Sequence, residues 1–105
     1  IQAGNSINYY TAVTNTMGAA ATDDFFRLFM APGMLHCAGG PGPNTFDAVS
    51  ALDAWVEQGT KPAQLVASHA TNGVVDRTRP LCPYPQVAVY SGTGSIDEAA
   101  NFVCK

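Results

Sequence analysis

Charge is scarce in this chain. Asp, Glu, Lys and Arg make up 12% of its 105 residues, against an average of about 25% for soluble domains. Lys and Arg together number 5 and the net charge is −3. With no basic cluster, nucleic acid and anionic membranes are excluded as natural partners. Long apolar runs are missing too, since none approaches the ~18 residues of a membrane-spanning helix. No internal repeat, linker or low-complexity tract interrupts the chain, which reads as one piece of one domain, residues 1–105. The start, Ile1-Gln2-Ala3-Gly4, has neither an initiator Met nor a signal peptide and reads as an internal cut.

Two chemistries are absent as well. Gly39-Gly40-Pro41-Gly42-Pro43 is rich in glycine, but it lacks the Lys-Ser/Thr of a phosphate loop. Its prolines also remove N–H groups that would cradle a phosphate. Cys37, His36 and His69 have the wrong spacing for a metal set, and no Cys-x-x-Cys supports them, so no metal ligand is assigned.

What the chain does have is apolar residues, 47% of the total. So much apolar surface with so few charges points to a chain largely covered by other protein. It also has three cysteines, an odd number that leaves one thiol for a partner elsewhere or free and reactive. Cys82 lies in the rigid segment Arg79-Pro80-Leu81-Cys82-Pro83-Tyr84-Pro85, and Cys104 is the penultimate residue. A bond between these two would staple the terminus and stabilise by about 3 kcal/mol. Cys37 is then the odd one out. The alternative is three reduced thiols in a cytosolic protein.

The elements alternate. Ser6 is a candidate N-cap for a helix over residues 7–17, with Gly18 as its stop. Ile7, Tyr10, Thr14 and Met17 form its stripe, and Tyr9 and Tyr10 read as packing residues. Residues 25–30 follow Asp24 and are apolar on both faces except for Arg27, the pattern of a strand covered on both sides. Pro32-Gly33 ends it. A second helix is expected over residues 46–58, closed by Gly59, with Ala48, Leu52, Trp55 and Val56 as its docking face. Residues 64–68 and 87–90 read as strands, and residues 72–85 as turn-rich with Arg77 and Arg79 in ion pairs. Gly92 to Gly94 turn the chain, and Ser95-Ile96-Asp97-Glu98 is a capping box for a last short helix ending at Val103. Asp23-Asp24 reads as a solvated turn and His69 as a surface residue.

The most informative stretch runs from Phe29 to Pro43. It sets His36 beside Cys37 at the end of an apolar run, followed by five Gly and Pro residues. A ring that titrates near neutral pH, held where a strand gives way to a loop, is how α/β enzymes present a catalytic base. The same spacing also fits a loop histidine that only hydrogen-bonds its neighbours.

These residues carry a family resemblance. The run Phe26-Arg27-Leu28-Phe29-Met30-x-Pro32-Gly33-Met34-x-His36-Cys37-x-Gly39-Gly40-Pro41-Gly42 resembles the C-terminal signature of the tannase and feruloyl esterase family. So do Leu52-x-x-Trp55-Val56-Glu57-x-Gly59 and Arg77-Thr78-Arg79-Pro80-Leu81-Cys82-Pro83-Tyr84-Pro85. The match extends from Ile7-Asn8-Tyr9-Tyr10 to Phe102-Val103-Cys104.

The resemblance implies an α/β fold, here the C-terminal part of an α/β-hydrolase domain, without its lid or the first part of its sheet. It implies a secreted or periplasmic serine esterase with a Ser-Asp-His triad. In that pattern the histidine maps on His36. Cys37 maps on a cysteine bridged to another just before the nucleophilic serine, outside this chain. Cys82 and Cys104 map on the family's terminal disulfide. The serine and the oxyanion hole match nothing here, and the aspartate would fall a residue or two before Ile1. The family's calcium belongs to the lid, so these residues imply no cofactor. The implied partners are the remainder of the same esterase and a small aromatic ester, hydroxycinnamoyl first. Galloyl esters and mono-hydroxyethyl terephthalate are alternatives, and a noncatalytic structural or binding fragment is the reading from a different class.

Overall fold

The computed structural model describes residues 2–105. Helix α1 spans Gly4–Met17 and stops at Gly18, whose φ of 88° no other residue adopts cheaply. Its stripe is used only in part: the Tyr10 ring stands edge-on to Phe26 at 5.1 Å and to Tyr84 at 6.1 Å, while Met17 stays exposed, as does Tyr9 beside the stripe. Ser6 is not its cap. The helix begins earlier, at Ala3, with no side-chain cap bond, and a serine caps only where its own backbone leaves helical geometry.

Helix α2, Ala19–Asp23, follows at once. It buries Thr22 completely, and the Thr22 hydroxyl donates to the Gly18 carbonyl at 2.8 Å.

Residues 25–30 do not form the expected strand. They make one bridge, Phe29 to Pro83, and the Leu28 carbonyl accepts from the Tyr84 N–H at 2.7 Å. A central strand needs a ladder on both sides, and among the described residues this segment has no neighbour to supply one. Arg27 instead anchors the stretch. Its guanidinium holds both oxygens of Asp23, at 2.8 and 3.0 Å, and donates to the Pro62 carbonyl at 2.7 Å. Asp23-Asp24 is therefore more than a solvated turn, because Lys61 bridges the two carboxylates at 3.3 and 2.7 Å.

Helix α3 covers Ala48–Gln58, close to expectation. Asp47 caps it by accepting from the Ser50 N–H at 2.9 Å, and Gly59 closes it in the left-handed region. Its apolar face is only partly covered. Trp55 is half-buried with the Arg27 guanidinium 6.0 Å from its ring, while Val56 stays 72% exposed.

The rest is antiparallel. Strand β1, Leu65–Thr71, pairs with β2, Val74–Leu81. Residues 72–85 are thus not turn-rich throughout: the turns are Asn72-Gly73 and Tyr84-Pro85, the latter closed by the Gln86 N–H on the Pro83 carbonyl at 2.9 Å. Asn72 and Gly73 both have positive φ, 50° and 80°, as a two-residue hairpin turn of matching twist demands. Strand β3, Ala88–Tyr90, pairs with β4, Phe102–Cys104.

The expected last helix shrinks to a single 3₁₀ turn, Ala99–Asn101. The Ser95 hydroxyl does accept from the Asp97 N–H, at 3.1 Å, but only this short turn follows. Asp97 holds Arg77 at 2.7 Å, and its carbonyl accepts from the Thr78 N–H at 2.9 Å. Arg79 lies 4.0 Å over the Phe102 ring and donates to the Ile96 carbonyl, so only Arg77 forms the ion pair expected of both.

Cys82 and Cys104 are disulfide-bonded, with Cα atoms 5.5 Å apart. This staple joins the end of the hairpin to β4. Ala67 on β1, and Pro80, Leu81 and Cys82 at the end of the hairpin, are buried, as is Pro43. The chain is thus mixed helix and sheet, and its two described sheets are two-stranded ribbons rather than one parallel layer.

Candidate active-site loop

The loop that carries His36 is built by its own backbone. Pro32 and Gly33 occupy the middle of a turn closed by the Met34 N–H on the Ala31 carbonyl, at 3.2 Å, with Gly33 at φ 79°. Pro at the first central position and a positive-φ Gly at the second are the chemistry of a type II turn. The Leu35 N–H then reaches the Gly39 carbonyl at 2.9 Å, and the Gly42 N–H returns to the Gly33 carbonyl at 3.0 Å. The outgoing arm therefore crosses the incoming one.

The base of the loop is tied to the hairpin. Asn44 and Thr45 donate their N–H groups to the Ser68 carbonyl at 2.9 and 3.1 Å, and the Asn44 amide donates to the Gly42 carbonyl at 2.9 Å.

His36 and Cys37 project from this frame and both are exposed. The Cys37 sulfur lies 3.1 Å from His36 Nδ1. Cys37 also has φ 69°, a left-handed backbone that a non-glycine residue enters at a cost of order 1–2 kcal/mol. Such outliers cluster where the chain must aim a side chain. Among the described residues, His36 hydrogen-bonds Cys37 alone, so neither a carboxylate to orient the ring nor a hydroxyl to be activated stands beside it.

His69 behaves differently from expectation. It lies half-buried on β1, and its Nδ1 meets Asp76 at 2.6 Å. The Thr71 hydroxyl donates to the other oxygen of Asp76, also at 2.6 Å. These two bonds, the Thr71 hydroxyl first, hold the Asp76 carboxyl below its usual range. Together with Arg77, Asp97 and Pro41 the pair lines a cavity of about 290 Å³ beside the His36 loop. The Asn72-Gly73 dipeptide was the sequence signal for this pairing: a two-residue turn there folds β2 back and brings Asp76 alongside His69. Among the described residues, no group of three or more His, Cys, Asp or Glu side chains is placed to hold a metal ion, and no helix is long and apolar enough to cross a membrane.

Comparison with known proteins concerns the chain as a whole. The sequence pattern described as "Tannase and feruloyl esterase" matches residues 1–105. Mono(2-hydroxyethyl) terephthalate hydrolase of Piscinibacter sakaiensis is 50% identical over 103 residues, 95% of this chain and 17% of that protein. A probable feruloyl esterase B-2 of Neosartorya fischeri is 34% identical, over 99% of this chain and 23% of its own length. The crystal structure of feruloyl esterase B from Aspergillus oryzae superposes with a TM-score of 0.90 at 28% identity, covering all of this chain and 24% of that one. An esterase from the same organism superposes at 0.88 with 33% identity, covering 25% of its chain. The chain thus spans 17–25% of the length of these relatives.

Proposed function

The chain belongs to the tannase and feruloyl esterase family, and from that premise we propose that it is the C-terminal segment of a carboxylic ester hydrolase to which it supplies the general base, His36. The observation that carries this reading is the family match over residues 1–105, with His36 exposed on a loop closed by its own backbone and, among the described residues, hydrogen-bonded to Cys37 alone. His69, by contrast, is half-buried and held by Asp76 at 2.6 Å. His36 is presented instead.

The mechanism is acyl transfer. A serine from the rest of the enzyme attacks the ester carbonyl while His36 accepts the serine proton. The imidazolium then returns that proton to the departing alcohol, leaving an acyl-serine. Water, deprotonated by the same ring, attacks the acyl carbon, and the collapse releases the carboxylic acid and restores the serine hydroxyl. An aspartate from outside these residues orients the ring through Nδ1. That nitrogen is the one Cys37 touches in this structure, so a bridge from Cys37 to a cysteine beside the serine both ties the base's loop to the nucleophile and draws the sulfur away from Nδ1.

The preferred substrates in this reading are hydroxycinnamoyl esters, because relatives along nearly the whole chain bear the feruloyl esterase name. Hydrolysis of mono(2-hydroxyethyl) terephthalate is the second reading, favoured by the 50% identity to a hydrolase of that name. We place the enzyme in an oxidising compartment, secreted or periplasmic, consistent with the Cys82–Cys104 bond. These residues are assigned no cofactor of their own, and the calcium that the family resemblance implies is left to the lid.

Replacing His36 with Ala in the intact esterase is the test. Turnover of methyl ferulate should fall about 10⁴- to 10⁶-fold with folding retained. Near-normal turnover would end the assignment and leave the noncatalytic reading.

A further inference from the structure

We propose that Gly40 and Gly42 are positioning residues for His36: the two backbone arms of its loop cross so closely at these glycines that no side chain fits, and that crossing sets where the imidazole is offered. The inference rests on the reading of His36 as the base and adds to it the device that aims the ring.

The observations are steric. A Cβ built on Gly42 would fall inside the contact distance of the Pro32 carbonyl oxygen, and one on Gly40 inside that of the Gly33 carbonyl oxygen. From the other arm, a Cβ on Gly33 would sit 2.9 Å from the Gly42 Cα and N. All of these obstacles are backbone atoms, which cannot swing aside as a long side chain can. The same crossing carries the bond from the Gly42 N–H to the Gly33 carbonyl, 3.0 Å, and is backed by the Asn44 amide on the Gly42 carbonyl, 2.9 Å. His36 sits inside the closed part of the loop, between Gly33 and Gly40.

Gly42 is the sharper probe of the two. Gly40 has φ +108°, so a side chain there meets backbone strain as well as a neighbour. Gly42 has no such φ, and alanine is refused there by space alone. To admit a methyl group the arms must part, and the ring carried between them moves with the incoming arm. A displacement of about 1 Å of a catalytic group lowers turnover on the order of 10²-fold.

The experiment compares Gly42→Ala with Gly4→Ala and His36→Ala in the intact esterase. Gly4 serves as the control because a Cβ there meets nothing within 4 Å. Turnover, KM and thermal midpoint are read with methyl ferulate as substrate. Gly42→Ala is expected to lower kcat about 10²-fold, with KM changed less than about twofold and the melting point close to that of Gly4→Ala. A kcat equal to wild type would overturn the proposal. So would a parallel loss of kcat, substrate binding and melting temperature, which marks a merely structural glycine. Near-normal turnover in His36→Ala would end the reading of His36 as the base and this proposal with it. An inactive His36→Ala beside a fully active Gly42→Ala would remove only the positioning role.

Discussion

The helices and the strands of this chain bury their apolar residues to different extents. In the segment from Leu65 to Cys104, strands pair, the disulfide closes, and Ala67, Leu81 and Cys82 are buried within the chain itself. In α1 and α3 no residue is buried, and Tyr9, Met17, Val49, Leu52 and Val56 stand 52–79% exposed. Only the strand region encloses fully buried apolar side chains, although Val66, Val74, Val75, Val87 and Ile96 there stay 53–69% exposed. A helix stripe has a fixed face and needs an external surface, whereas a hairpin supplies its own first partner. The contrast agrees with the chain's small share of its relatives' length and with a surface poor in charge.

The strongest way to break the comparison is to open the staple. Cys82→Ser with Cys104→Ser should lower unfolding stability by about 3 kcal/mol, the loop-closure value for 22 residues. A denaturant midpoint unchanged from wild type would mean that the strands hold the terminus unaided. Next in size, Leu81→Ala should cost about 2–3 kcal/mol, because the residue is 3% exposed and its void has little room to collapse. Val56→Ala, on the open face of α3, should change the stability of the chain itself by no more than about 0.5 kcal/mol. In the intact esterase the same variant should cost more, and equal effects in both settings would show that nothing covers this face.

The smallest effect concerns pH. The Arg27 guanidinium holds the Asp23 carboxyl below its usual value, with Lys61 assisting, so the folded chain releases this proton more readily than the unfolded one. The stability that this adds is present above the unfolded value of about 4. It is lost as pH falls through the lower, folded value. Asp23→Asn should therefore be slightly less stable than wild type at pH 6, with the gap closing near pH 2. A gap that persists in acid would assign the effect to shape rather than charge. Lys61 has the opposite sign: its ammonium is held above the usual range, first by Asp24, so its contribution fades only as pH rises past 10.

Much was legible in the residues alone. The stops at Gly18 and Gly59, the body of α3, the short strand at 88–90 and the Cys82–Cys104 pair follow from local rules, because caps, turns and a staple near a terminus depend on neighbours in sequence. The misses share one cause. Residues 25–30 look like a strand, but a strand exists only with a ladder partner, and these residues find one bridge. Ser95-Ile96-Asp97-Glu98 looks like a capping box, and Ser95 does accept from the Asp97 N–H, but Arg77 and Thr78, some twenty positions away, hold Asp97 and only a 3₁₀ turn follows. The β2 strand was hidden by Arg77, Arg79 and Pro80, which read as turn residues until Asn72-Gly73 pairs them with β1.

The same division holds for the candidate site. By itself the sequence determined that His36 and Cys37 adjoin, that Pro32-Gly33 turns the chain before them, and which family the segment belongs to. Those depend on residue identity and order. Only the tertiary structure decided that Gly33, Gly40 and Gly42 meet backbone to backbone, that Cys37 takes a left-handed conformation against the His36 ring, and that His69 is held by Asp76. Contacts of that kind are set by where two separated stretches of chain come together, and no local preference for helix, strand or turn encodes a distance between them.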